Sequence, residues 1–119
     1  MKLLSRWFGH ASVSPSWIEP AALATRLERD DAPLILDVRG PDEFTGPLGH
    51  IREATNVPLI ELPAHLHELV RENRPVVVVC KTDRRSSLAA QQLQQAGMAH
   101  VSVLRGGMER WRVLGLPAS

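Results

Sequence analysis

Apolar residues recur along this chain in two rhythms. Leu34 to Val38 (LILDV), Val76 to Val79 (VVVV) and Val101 to Leu104 (VSVL) are short, nearly continuous apolar runs. Such runs predict strands covered on both faces, as in a parallel sheet. A shorter strand is predicted over Ala54 to Val57, ended by Pro58. Between the runs the spacing is helical. Leu23, Ala24 and Leu27 follow Pro20, a residue suited to a first helical position, and Asp30 and Asp31 close that helix. Gly40-Pro41 mark a turn, with a helical turn starting at Asp42, Glu43 and Phe44. Leu59, Leu62, Leu66, Leu69 and Val70 share one arc of a helix over 59–71, with Pro63 in its first turn. Ser86 and Ser87 open a helix running to Ala96, with Leu88, Ala89, Leu93 and Ala96 on one face and Gly97 after its end. A last helix, Met108 to Leu114, follows Gly106-Gly107. Strand and helix alternate, which predicts an α/β fold: a mainly parallel sheet of about four to five strands with helices on both faces.

Length and composition narrow the picture. At 119 residues the chain is one domain, and 44% apolar residues suffice for a core. A net charge of +1 lacks the basic excess of a nucleic-acid protein. No apolar run approaches the roughly 18 residues of a transmembrane helix, so no membrane partner is expected. Residues 1–16 lack periodicity and read as an N-terminal extension, a frayed tail rather than a leader, with the domain proper over 17–119. Trp7 and Phe8 within it either fold back or mark a contact. The lone cysteine excludes an internal disulfide and a four-cysteine metal site, and it fits a reducing compartment; a cytoplasmic location is the expectation.

That cysteine is the chemical centre of the chain. Cys80 ends the valine strand, at the carboxyl edge where open α/β sheets bind ligands. The helix after it would aim unpaired N–H groups and a positive dipole end at whatever Cys80 carries. Lys81, Thr82, Asp83, Arg84 and Arg85 are too polar to continue a buried strand. Cations beside a thiol favour the thiolate and attract anions. A buried, inert cysteine is the competing reading, but such a residue is expected inside the valine run, not after it. Lys81, Arg84 and Arg85 would otherwise be a solvated loop; beside Cys80 at a strand-to-helix junction they read as an anion-binding loop.

The histidines offer no equal candidate. None of His10, His50, His65, His67 and His100 has a protease-like context; His65 and His67 point to different sides of their helix, and His50 reads as loop support. Cysteine phosphatases share the strand, Cys loop and helix, but their loop arginine would fall at Ser86 here, and Arg85 comes one residue early. A shorter loop makes a smaller cradle, less suited to a phosphate ester.

Four stretches in order resemble the rhodanese family of sulfurtransferases, in its single-domain form. They are Leu36-Asp37-Val38-Arg39 followed by Glu43-Phe44; Gly49-His50-Ile51, Ala54 and Asn56-Val57-Pro58; Cys80 to Ser86, against the family's C-x-x-G-x-R-S/T; and Leu104-Arg105-Gly106-Gly107 with Trp111, Gly115 and Pro117. The similarity spans about Trp17 to Pro117. Two departures stand out: Asp83 takes the loop's usual Gly, and Glu53 another common Gly. Asp tolerates a left-handed backbone, so the loop should still close, with a lower positive potential. The resemblance implies a rhodanese-like fold and a Cys80 persulfide that carries sulfur from a donor such as thiosulfate to cyanide, a thiol or a protein acceptor. It implies that Lys81, Thr82, Asp83, Arg84, Arg85 and Ser86 bind the substrate and that Asp37 and Arg39 support the site. No metal or organic cofactor is required. Two further readings stay open: a rhodanese-like binding or regulatory module without turnover, and an arsenate reductase or phosphatase, opposed by loop length and the missing second cysteine.

Overall fold

The computed structural model describes residues 15–119. Trp7, Phe8 and His10 lie outside that range. Five strands form one sheet: β1 (Ser16–Ile18), β2 (Leu34–Asp37), β3 (Thr55–Asn56), β4 (Val76–Val79) and β5 (Val101–Leu104). Their order is β1-β5-β4-β2-β3 and all neighbours are parallel. The helices are α1 (Pro20–Leu27), α2 (Pro41–Phe44), α3 (Leu62–Glu72, preceded by a 3-10 turn at Leu59–Glu61), α4 (Arg84–Gln95) and α5 (Gly107–Val113). The fold is α/β, a parallel sheet with helices on both faces, as expected. Among the described residues no helix is long and apolar enough to cross a membrane.

The pleat sorts side chains to two cores. Leu36, Val76, Val78 and Cys80 join Leu62, Ala89, Ala90 and Leu93, so α3 and α4 cover one face. Ile35, Val77 and Val79 join Leu23, Met108 and Trp111, so α1 and α5 cover the other. This double burial explains why β2 and β4 read as unbroken apolar runs. The strand β1 escaped the sequence pattern. It has three residues, sits at the sheet's edge beside β5, and leaves Ser16 and Trp17 exposed, so it has no apolar rhythm to read. Arg105 holds it from outside, its guanidinium 4.7 Å over the Trp17 ring and its Nε 2.6 Å from Glu19 Oε2.

The helix α4 differs from expectation in two ways. It starts at Arg84, two residues before Ser86, so both arginines belong to its first turn. Its buried stripe is Ser86, Ala89, Ala90 and Leu93, an i, i+3, i+4, i+7 set, while Leu88 is 44% exposed and Ala96 faces solvent.

Candidate active site

All five strands run parallel, so their carboxyl ends share one edge of the sheet, and Asp37, Asn56, Cys80 and Arg105 lie along it. Cys80 follows Val79 in pleat register and its side chain enters the α3/α4 core, 1% exposed. It is buried more deeply than its place after the valine run suggested. Its surroundings are not purely hydrocarbon. Its Sγ lies 3.2 Å from Ser86 Oγ, and Ser86 Oγ–H donates to the Asp83 carbonyl at 3.2 Å. Ser86 is itself fully buried, delivered to the sulfur by the first turn of α4.

The backbone of the loop is oriented by α5. Met108 N–H donates to the Cys80 carbonyl at 2.9 Å, and Glu109 N–H to the Lys81 carbonyl at 3.0 Å. With those carbonyls engaged, the N–H groups of Lys81 to Ser86 find no acceptor among the described residues. Six consecutive free donors, in the loop between Cys80 and the first turn of α4, are the makings of an anion-binding nest at a helix N-terminus. Gly107 makes the approach possible. Its φ is +59°, and a Cβ there would collide with the Cys80, Lys81 and Thr82 carbonyls.

Asp83 does not use a left-handed backbone, as its replacement of a loop glycine suggested. Its φ is −131° and its ψ −17°. The side chain acts instead: Oδ1 accepts Gly106 N–H at 2.7 Å. Of the two glycine replacements, Glu53 is the left-handed one, at φ +67°.

The three loop cations are not equivalent. Arg85 forms a two-pronged ion pair with Glu43, at 2.7 Å to Oε1 and 2.9 Å to Oε2. The Arg85 hydrogen bond outweighs desolvation, and with help from Gly40 N–H holds the Glu43 carboxyl at about 2; Glu43 in turn raises Arg85. Lys81 and Arg84 are exposed and form no ion pair among the described residues. Thr82 is exposed beside them. Glu43 was legible only as part of the Glu43-Phe44 motif; a partner forty-two residues from Arg85 leaves no local signal.

Below the loop, Arg39 is 1% exposed and Asp37 fully buried. Arg39 donates through Nε (2.9 Å to Oδ1) and Nη2 (2.8 Å to Oδ2) to Asp37, and through Nη1 and Nη2 to the Glu43 and Gly49 carbonyls. Asn56 Nδ2 bridges the Asp37 and Arg39 carbonyls. His50 stacks on Phe44, ring centroids 3.7 Å apart, with Nδ1 2.8 Å from the Phe44 carbonyl, so it supports the loop. Among the described residues no group of three or more His, Cys, Asp or Glu side chains is placed to hold a metal.

Comparison with known proteins agrees with this geometry. The family model described as Rhodanese-like domain matches residues 19–113. A protein from Allochromatium vinosum named Sulfurtransferase is 34% identical over 100 residues, covering 84% of this chain and 91% of that one. The uncharacterized protein slr1261 of Synechocystis sp. is 39% identical over 77% of this chain, which spans 50% of that relative's length. The crystal structure of a rhodanese-related protein from Thermoplasma volcanium superposes with a TM-score of 0.74 at 32% identity, covering 86% of this chain and 95% of that one. On the family model and the sequence and structural likeness together, the chain belongs to the rhodanese-like domain family.

Proposed function

We propose that the protein is a sulfurtransferase in which Cys80 carries the sulfur. The observation that supports this most is the run of unengaged amides from Lys81 to Ser86 directly after Cys80, whose sulfur is 3.2 Å from the Ser86 hydroxyl oxygen. The Cys80 thiolate attacks the outer sulfur of thiosulfate. A new S–S bond forms, the donor's S–S bond breaks, and its electron pair leaves with sulfite. The terminal sulfur of the persulfide carries the negative charge, and the amides are preorganised donors for it. The Ser86 hydroxyl, which accepts from the thiol, turns to donate to Sγ once the proton is gone. Cyanide, a thiol or a protein thiol then takes the outer sulfur and returns the thiolate. Lys81 and Arg84 steer the anionic donor, while Arg85, tied to Glu43, and the Asp37–Arg39 pair hold the loop.

The 1% exposure of Cys80 favours a second reading, a binding module without turnover. Initial rates separate the two. Two half-reactions through one covalent intermediate give parallel double-reciprocal lines as thiosulfate and cyanide are varied. Cys80→Ser should produce no thiocyanate. A wild-type chain that produces none with thiosulfate or with an organic persulfide donor is a module, not an enzyme.

A further inference from the structure

We propose that Asp83 is a positioning residue that also sets donor preference, a reading that rests on the sulfur-transfer reading above. Its two effects come from different properties of one carboxylate. The first is the acceptor oxygen. Oδ1 accepts the Gly106 N–H at 2.7 Å, while Met108 and Glu109 N–H donate to the Cys80 and Lys81 carbonyls. The Asp83 side chain is thus the third tie between the Cys80 loop and the N-terminal end of α5, and the only one of the three made by a side chain. The Asp83 carbonyl also receives the Ser86 hydroxyl, which faces Cys80 Sγ. Tilting Asp83 therefore moves the hydroxyl that meets the sulfur.

The second property is charge. Glu43 neutralises Arg85, and Lys81 and Arg84 are left as the loop's unpaired cations among the described residues. Asp83 lies between them in the chain and forms no ion pair among the described residues, so its charge offsets part of theirs. A doubly negative inorganic donor meets a weaker field than the basic sequence suggests. A donor that carries an ammonium group beside its sulfur, as cysteamine persulfide does, is not repelled by Asp83. Asp83 thereby weakens the loop's preference for thiosulfate relative to sulfane sulfur carried on a neutral or zwitterionic thiol.

The test compares Asp83→Asn with Asp83→Ala, using thiosulfate and cysteamine persulfide as donors. Asn keeps the acceptor oxygen and loses the charge. KM for thiosulfate should fall about three- to tenfold, with no such fall for cysteamine persulfide. Ala loses both, and kcat should fall about tenfold with either donor, with Asn restoring what Ala loses. Exchange of the Gly106 amide reads the tie without any turnover: slow in wild type and Asn, faster in Ala. An unchanged thiosulfate KM in Asn overturns the charge effect. A Gly106 amide equally protected in Ala overturns the tie. If wild-type protein takes no sulfur from either donor, the sulfur-transfer reading fails and donor preference with it, while Gly106 exchange still judges the tie by itself.

Discussion

Single residues carry most of what distinguishes this chain. Glu53 sits at φ +67°, where a side chain is strained and glycine is not. It is exposed, so little else depends on it. Glu53→Gly should therefore stabilise the fold by about 1 kcal/mol, read as a higher urea midpoint at unchanged slope. Gly107 is the opposite case. Gly107→Ala adds a Cβ among three carbonyls of the Cys80 loop and strains a φ of +59°. A loss of about 2–4 kcal/mol is expected, together with loss of sulfur transfer. A variant as stable and active as wild type would show that the loop does not rest on this turn. At this scale the sequence was only partly legible. The position of Cys80 after a valine strand pointed to the site. That Asp83 replaces a glycine without its backbone conformation, while Glu53 keeps the strained one, could not be read from residue types, because both substitutions look alike in one dimension.

Between elements, two ion pairs join the loop's supports. The Asp37–Arg39 pair is buried, and Arg39 also ties β2 to the carbonyls of Glu43 and Gly49. Arg39→Ala leaves a buried carboxylate unpaired and should cost about 3–5 kcal/mol in urea denaturation. Asp37→Leu with Arg39→Met should recover much of that loss, since an apolar pair leaves no uncompensated charge. The Glu43–Arg85 pair joins α2 to α4 and is more exposed, Glu43 at 39%. Its carboxyl is held at about 2 against 4.5 ordinarily, so its stabilisation is full above the unfolded value and is lost as pH falls from 4.5 toward 2. Solvent screening limits it to about 1 kcal/mol or less. Glu43→Gln should flatten that part of the acid stability profile; an unaltered profile would mean the pair contributes nothing. Helix boundaries were legible to within two residues at α4, where the basic pair looked like loop. Arginines are disfavoured at a helix N-terminus, and Arg85 is tolerated there because a distant glutamate neutralises it.

The whole molecule was the most legible scale. Alternating apolar runs and helical stripes imply a parallel sheet covered on both faces, and the chain builds one, with β2 and β4 central and the two cores divided by the pleat. Only the edge strand β1, short and half-exposed, was hidden. Parallel topology also explains why the site lies where it does: five carboxyl ends at one edge gather residues far apart in sequence, with Cys80 at their middle. The most direct test of the account is the intact mass of the protein after thiosulfate is added and removed. A gain of about 32 Da, located to Cys80, reversed by cyanide and absent in Cys80→Ser, is the predicted result. An unchanged mass with thiosulfate and with organic persulfides alike would contradict it.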